Sequence, residues 1–254
     1  MTKTALVTGA SSGIGYEMVQ LLARDGYDLI LVARNEQRLQ QIKEALPDRK
    51  VTVLVQDLSA PGAAESIDHR VREAQLNVDI LVNDAGFGLV GAFYSLGLDV
   101  QMKMIQLNVA ALTELTYRFL QDMRQNGGKI LNVASTAAYQ PGPFMAVYFA
   151  SKAYVLSLTE ALAEELNGTR VSVTALCPGP THTNFGAVAN AADIRMFART
   201  MDAHVVAQIG YRALQKGKRV AIAGGMNRSG ALAAKLLPSS WGAKAVRFVT
   251  GKKK

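Results

Sequence analysis

Along this chain the apolar positions keep changing their period. Short runs of apolar and β-branched residues, such as Thr4-Ala-Leu-Val-Thr8 and Leu29-Ile-Leu-Val32, read as buried strands. Between such runs the apolar residues fall three and four apart, as at Met18, Val19, Leu21 and Leu22, the rhythm of a helix with one covered face. The pattern predicts strands near 4–8, 28–32, 51–55, 79–83, 129–134, 170–176 and 219–223. It predicts helices near 13–25, 36–46, 60–76, 100–125, 146–166 and 203–216. Alternating strands and helices predict an α/β fold, a parallel sheet with helices on both faces. No repeat, low-complexity tract or linker divides the chain, so residues 1–225 are expected to form a single domain, with 226–254 as a C-terminal extension.

Between the first strand and the first helix stands Gly9-Ala-Ser-Ser-Gly13-Ile-Gly15. Glycine lets the backbone turn tightly and approach a pyrophosphate closely. The helix that follows aims unpaired N–H groups and the positive end of its dipole at the anion. Strand, glycine turn and helix in this order therefore predict a dinucleotide site.

A second constellation lies in Tyr148-Phe-Ala-Ser-Lys152. Four residues apart on a helix, the phenol and the ammonium share one face. A neighbouring cation favours phenolate, and at about 5 Å and an effective dielectric of about 20 the coupling is roughly 3 kcal/mol. The expectation is a tyrosine whose pKa is lowered toward neutral pH, able to exchange a proton with substrate.

These stretches resemble the short-chain dehydrogenase/reductase family, and the resemblance runs to about Thr183. Thr8, Gly9, Gly13 and Gly15 match the family's cofactor motif. Asp57-Leu58 matches its acidic residue after the third strand, and Asn83-Asp84-Ala85-Gly86 its Asn-Asn-Ala-Gly segment. Asn108, Ser135, Tyr148 and Lys152 fall where the family carries its catalytic tetrad, and Pro178-Gly179 with Thr183 matches the segment flanking the nicotinamide. The resemblance implies a Rossmann-type, doubly wound, seven-stranded sheet. It also implies cofactor contacts from Ser11, Ser12, Ile14, Ala85, Gly86 and Thr181. Asp84 departs from the pattern: a carboxylate replaces an amide donor. It reads either as a solvated loop acid or as a residue with a special role.

After the second strand the chain reads Ala33-Arg34-Asn35. A site for NAD would place an acid there to hold the ribose 2′-hydroxyl. Arg34 instead offers a guanidinium fork suited to a 2′-phosphate, with Ser11 and Asn35 as additional donors, so NADP is the expected cofactor. By family roles, Tyr148 would give its proton to the substrate oxygen and Lys152 would bind the nicotinamide ribose. Ser135 would hold the carbonyl, and Asn108 would order a water chain. Phe87, Leu89, Phe144, Met145, Phe185, Met196 and Phe197 are expected to line an apolar pocket for a ketone, aldehyde or 3-oxoacyl compound. The segment from Asn184 to Thr200 would close over it. The implied protein is an NADPH-dependent oxidoreductase acting between a carbonyl and a secondary alcohol. The alternative is a dinucleotide-binding sensor or scaffold without turnover.

The remaining composition narrows the setting. The chain has 254 residues, 49% of them hydrophobic, enough for one large core. A single Cys177 excludes an internal disulfide and fits a reducing compartment. With neither a leader nor an apolar stretch of spanning length, a cytoplasmic protein is expected. His69, His182 and His204 show no ligand spacing, so no metal is expected. The net charge of +8 is unevenly spread. Residues 1–202 carry 17 Lys and Arg against 20 Asp and Glu, whereas residues 203–254 carry 11 Lys and Arg and no acid. The basic excess is thus a property of the tail and does not describe a nucleic-acid groove across the domain. From Met226 onward the tail mixes Leu232, Leu236, Trp241 and Phe248 with Arg228, Lys235, Lys244 and Arg247, and Pro238 divides it into two short helices. Such a stretch suits packing on the protein itself, on a partner subunit or on an anionic membrane surface. The family commonly associates through its fourth and fifth helices, so a homodimer or homotetramer is expected.

Overall fold

The computed structural model describes residues 2–189 and 194–251, apart from the side chains of Ala187, Val188 and Phe197. Seven strands form one sheet: β1 (Thr4–Thr8), β2 (Asp28–Ala33), β3 (Val51–Val55), β4 (Ile80–Asn83), β5 (Gly128–Val133), β6 (Val171–Cys177) and, after two short strands introduced below, β9 (Val220–Ile222). All neighbours pair in parallel, in the order β3-β2-β1-β4-β5-β6-β9. The chain leaves β1 in one direction to build β2 and β3, then returns to build β4 on the other side. That reversal opens a crevice beyond the C-terminal ends of β1 and β4, where ligands bind in doubly wound sheets.

Period-two alternation decides which residues meet which helices. Ala5 and Val7 of β1, with Leu29 and Leu31 of β2, pack on one face. There they meet helix α1 (Gly13–Arg24) through Met18, Val19 and Leu22, and helix α8 (Ala203–Gln215) through Val206, Tyr211 and Leu214. Leu6, Ile30 and Leu81 point the other way, onto Ile67 of helix α3 (Ala63–Glu73) and Leu115 and Phe119 of helix α5 (Leu112–Asn126). Helix α2 (Glu36–Glu44) begins at Asn35, whose side chain accepts the Arg38 amide at 2.9 Å, and it buries only Leu39 and Ile42. Helix α6 (Ala146–Glu165) carries Tyr148 and Lys152 against the C-terminal ends of β5 and β6.

Two features depart from the sequence pattern. The helix expected at 100–125 is divided into α4 (Leu98–Ile105), a π-helical stretch from Gln106 to Ala111, and α5. The wider turn carries Asn108, and π-bulges of this kind recur at functional sites. A two-residue parallel ladder joins β7 (Thr181–His182) to β8 (Met201–Asp202) and ties together the two ends of the segment expected to close over the site. Within that segment stand the short helix α7 (Phe185–Val188) and a 3-10 turn at Arg195–Ala198, and residues 190–193 lie outside the described residues. The tail does form two helices broken at Pro238, α9 (Gly225–Leu236) and α10 (Ser239–Val249). They cover residues beside the sheet's C-terminal edge: Lys235 lies over the Tyr139 ring, and Val246 packs with Met145 and Phe149. Cys177 is a buried thiol pushed up to about 11 by burial, with the Tyr139 hydroxyl 3.7 Å from its sulfur.

Candidate active site

The glycine turn after β1 is shaped by both conformation and space. Gly9 and Gly13 have φ of +70° and +58°, values open to glycine without strain. Gly15 is needed for space: a Cβ there would stand 2.5 Å from the Gly9 carbonyl oxygen. Ser12 gives α1 no side-chain cap, and Gly13 and Ile14 of its first turn, where helix amides lack intrahelical partners, line the crevice. An anion with several oxygens fits this cradle.

The crevice is a cleft of about 490 Å³. One end is walled by Gly9, Ser11, Ser12, Gly13 and Ile14, with Arg34 and Asn35 after β2 and Asp57 and Leu58 after β3. Arg34 is exposed and makes no ion pair or hydrogen bond among the described residues. Burial opposes ionisation of Asp57, but hydrogen bonds from the Ser59 amide and hydroxyl, helped by the charges of Arg34 and Lys103, hold its carboxyl below the usual range. The other end is walled by Ala85, Gly86, Phe87, Ser135, Met145, Tyr148, Lys152, Pro178, Gly179, Thr181, Thr183, Phe185 and Met196. Thr183 crosses over the glycine turn, close enough that a Cβ on Gly13 would meet its methyl at 3.0 Å.

Behind this wall, polar side chains brace the loops. Asn108 is buried, and its amide spans the loop after β4: Oδ1 accepts the Phe87 N–H at 3.1 Å, and Nδ2 donates to the Phe87 carbonyl at 2.9 Å and to Ser151 Oγ at 3.1 Å. Asn83 donates to Thr116 and Asn132, and Asn132 to Thr159, in a chain of hydrogen bonds through the core. Asp84 is half-buried and lines the cleft beside the glycine turn, where its Oδ2 accepts the Gly15 amide at 2.8 Å. Desolvation there lifts its carboxyl to about 7, against the opposing effects of the Lys152 charge and the Gly15 bond. It is therefore not a solvated loop acid.

Lys152 is buried, and its ammonium donates to the Val133 carbonyl at 2.7 Å. Burial lowers it to about 8, although Asp84 favours its charge. The expectation that Lys152 lowers the Tyr148 pKa is corrected here. Desolvation pushes Tyr148 up to about 12, a hydrogen bond with Ser135 pulls the other way, and Asp84 adds to the rise. The physical reason is that removal of water from the phenolate outweighs a cation that sits 5.9 Å from the ring centroid, already bonded to a carbonyl. Ser135 also caps the 3-10 turn Thr136–Tyr139 by accepting the Ala137 amide at 3.1 Å.

Of the apolar residues expected at the substrate end, Phe87, Met145, Phe185 and Met196 line the cleft, and the Phe185 ring lies 5.2 Å from the Tyr148 ring, centroid to centroid. Leu89 and Phe144 stand outside its wall. Phe144 has φ of +65°, and the Arg247 guanidinium lies 6.0 Å from its ring centroid. The Phe197 side chain lies outside the described residues. Leu107 and Phe149, which sequence reasoning passed over, also line the cleft, as do Ala134, Ala137, Pro180 and Asn184. Leu107 and Phe149 sit one residue from Asn108 and Tyr148, a proximity that could have flagged them.

Comparison with known proteins follows the same outline. A family model for short chain dehydrogenases matches residues 3–193. An uncharacterised oxidoreductase of Staphylococcus epidermidis is 33% identical over 217 residues, covering 80% of this chain and 93% of that protein. A sulfoacetaldehyde reductase of Chromohalobacter salexigens is 35% identical over 197 residues, covering 76% and 78%. Among solved structures, a short-chain dehydrogenase from Sphingobium yanoikuyae in complex with NADPH superposes with a TM-score of 0.83 at 32% identity, covering 91% of this chain and 92% of that one.

Proposed function

This chain belongs to the short-chain dehydrogenase family of nicotinamide-dependent oxidoreductases, and from that premise we propose that it is an NADPH-dependent reductase of hydrophobic carbonyl compounds. The observation that carries the reading is the convergence of Tyr148, Ser135 and Lys152 on one cleft with the glycine turn of α1. When bound, the nicotinamide supplies the hydride. A phenol held near 12 is protonated at neutral pH, the state a proton donor needs in the reductive direction. Ser135 stands beside it to hydrogen-bond the carbonyl oxygen as negative charge develops. Lys152 keeps its charge at neutral pH and would bind the ribose. Asn108 holds the loop that borders the nicotinamide end.

The unpaired Arg34, with Ser11 beside the same end of the cleft, supports a 2′-phosphate and so NADP. Phe87, Met145, Phe185 and Met196 support an apolar ketone, aldehyde or 3-oxoacyl substrate. The exposed stripe Leu98, Met102 and Ile105 on α4, with Tyr117 on α5, supports self-association through those helices. No helix among the described residues is long and apolar enough to cross a membrane. We propose a cytoplasmic homo-oligomer.

The test is a screen of NADPH oxidation over aldehydes, ketones and 3-oxoacyl thioesters, with Tyr148→Phe as control. Loss of the proton donor should reduce turnover about 10²- to 10⁴-fold. Turnover that persists in the control refutes the assigned acid. A blank screen with tight NADPH binding favours a sensor or scaffold.

A further inference from the structure

The two helices of the tail turn apolar side chains in both directions. Inward, Ala231 of α9 and Val246 of α10 are buried, the latter beside Met145 and Phe149 of the cleft wall. Thr250 donates to the Pro143 carbonyl at 3.2 Å, fastening the end of α10 to the segment before α6. Outward, Met226, Leu236, Trp241 and Phe248 are 80%, 78%, 62% and 67% exposed. On α9, Met226, Ala233 and Leu236 recur at helical spacing on the side away from Ala231. Large apolar side chains concentrated in this way mark a surface that meets an apolar partner.

Cations flank that surface. Lys244 stands exposed between Trp241 and Phe248 on α10, and the Arg195 guanidinium lies over the Phe248 ring. Arg228 and Lys235 instead follow the Ala231 side of α9, with Lys235 over the Tyr139 ring. Residues 203–254 carry 11 Lys and Arg and no carboxylate of their own; Arg219 pairs with Glu164 of α6, and α9 and α10 hold no acid. Two copies pressed together through this face would set like charges opposite each other with no acid to pair them. A nucleic-acid surface would have no use for four exposed large apolar side chains on these two helices. We infer that the outer face of α9 and α10 docks on an anionic phospholipid surface, its apolar side chains among the acyl chains and its cations on the headgroups.

Docking there brings the cleft to the bilayer. The inner side of α10 touches the cleft wall, so face and wall are separated by one helix diameter, about 10 Å. The Arg195 guanidinium lies 4.6 Å from the Phe248 ring centroid and is adjacent in sequence to Met196 of the cleft. Resting on the reductase reading above, the substrate class narrows to carbonyl compounds dissolved in a membrane.

Trp241 is the chain's single tryptophan and reports on this face directly. The full chain should sediment with vesicles of phosphatidylglycerol and phosphatidylcholine, with a blue shift of tryptophan emission, and not with phosphatidylcholine alone. A Leu236→Gln, Lys244→Glu double variant should lose at least about tenfold in vesicle affinity. Its reduction of a short water-soluble aldehyde should match wild type, which also shows that it folds. No emission change and no sedimentation with the anionic vesicles would overturn the docking, as would equal retention of the variant. A lipid-free dimer that the same variant dissociates would assign the face to a second copy and overturn it too. The substrate class has its own readout: hexadecanal in anionic vesicles should be reduced at least about tenfold faster by wild type than by the variant. Equal rates overturn that class alone. Vesicle binding without turnover of either aldehyde sinks the reductase reading and leaves the docking intact.

Discussion

Oδ2 of Asp84 accepts the amide of Gly15 at 2.8 Å, which joins the loop after β4 to the first turn of α1 beside the glycine turn. The bond puts a carboxylate where the family has an amide, and it links the glycine turn to the charge of Lys152. Asn can accept the same N–H, so Asp84→Asn should preserve the brace while removing the titration.

That substitution tests a pH dependence whose sign follows from the shift. The folded-state value of Asp84, about 7, lies above its ordinary 3.8. The folded protein therefore holds this proton more tightly. The resulting stabilisation is complete below about pH 4 and is lost as pH climbs through 7. Lys152, lowered to about 8, adds little change below that value. Asp84→Asn should gain stability relative to wild type between pH 5 and pH 8, by more than about 1 kcal/mol, measured by urea denaturation. A constant difference between the two proteins would show Asp84 ionised throughout.

Arg34 is exposed at the end of the cleft expected to hold the adenosine ribose, and it makes no ion pair or hydrogen bond among the described residues. A hydrogen bond to a charged group is worth about 1.5–3 kcal/mol, so Arg34→Ala should weaken NADPH about 10- to 100-fold and leave NADH nearly unchanged. Calorimetric titration with each cofactor decides the matter, and equal losses for both would remove Arg34 from phosphate recognition.

How far the sequence revealed this site depends on whether the governing interaction is local. β1, the glycine turn and α1 were readable because period, turn chemistry and helix rhythm lie within two dozen residues. The seven strands followed because buried parallel strands leave continuous apolar runs. The π-helical turn at Asn108 left no trace, since its apolar spacing continues that of an ordinary helix. The β7-β8 ladder was invisible because Thr181 and Met201 meet across twenty residues. Tyr148 is the instructive error. Its spacing to Lys152 could be read, but the desolvation that raises its pKa belongs to the assembled cleft.

Asn108 offers a stability test with a functional readout. Replacing it with Ala leaves the Phe87 N–H and carbonyl without their partner in a buried site. Each orphaned group costs about 1–3 kcal/mol, so Asn108→Ala should lose about 2–4 kcal/mol. Turnover should fall with it, because Gly86 and Phe87 border the cleft. Asn108→Asp keeps the acceptor for the Phe87 amide but loses both donors, and it should fall between the two in thermal unfolding. If Ala and wild type unfold together, the loop is held by other contacts.

Gly15 and Gly62 separate two reasons for glycine. Gly62 precedes α3 with φ of +73° and open space where a Cβ would stand, so Gly62→Ala meets only backbone strain. About 1 kcal/mol is expected, with cofactor affinity unchanged. At Gly15 the conformation is ordinary for any residue, but a Cβ would lie 2.5 Å from the Gly9 carbonyl oxygen and 2.7 Å from Asp84 Oδ2. The carbonyl is backbone and cannot swing aside, so Gly15→Ala must widen the turn and displace the Asp84 bond together with the amides that face the cleft. NADPH affinity should fall by more than about 100-fold, the loss of two or more charge-assisted hydrogen bonds. The sheet, built from other contacts, should keep its circular dichroism. Tight NADPH binding by Gly15→Ala would mean that the phosphates rest elsewhere in the cleft.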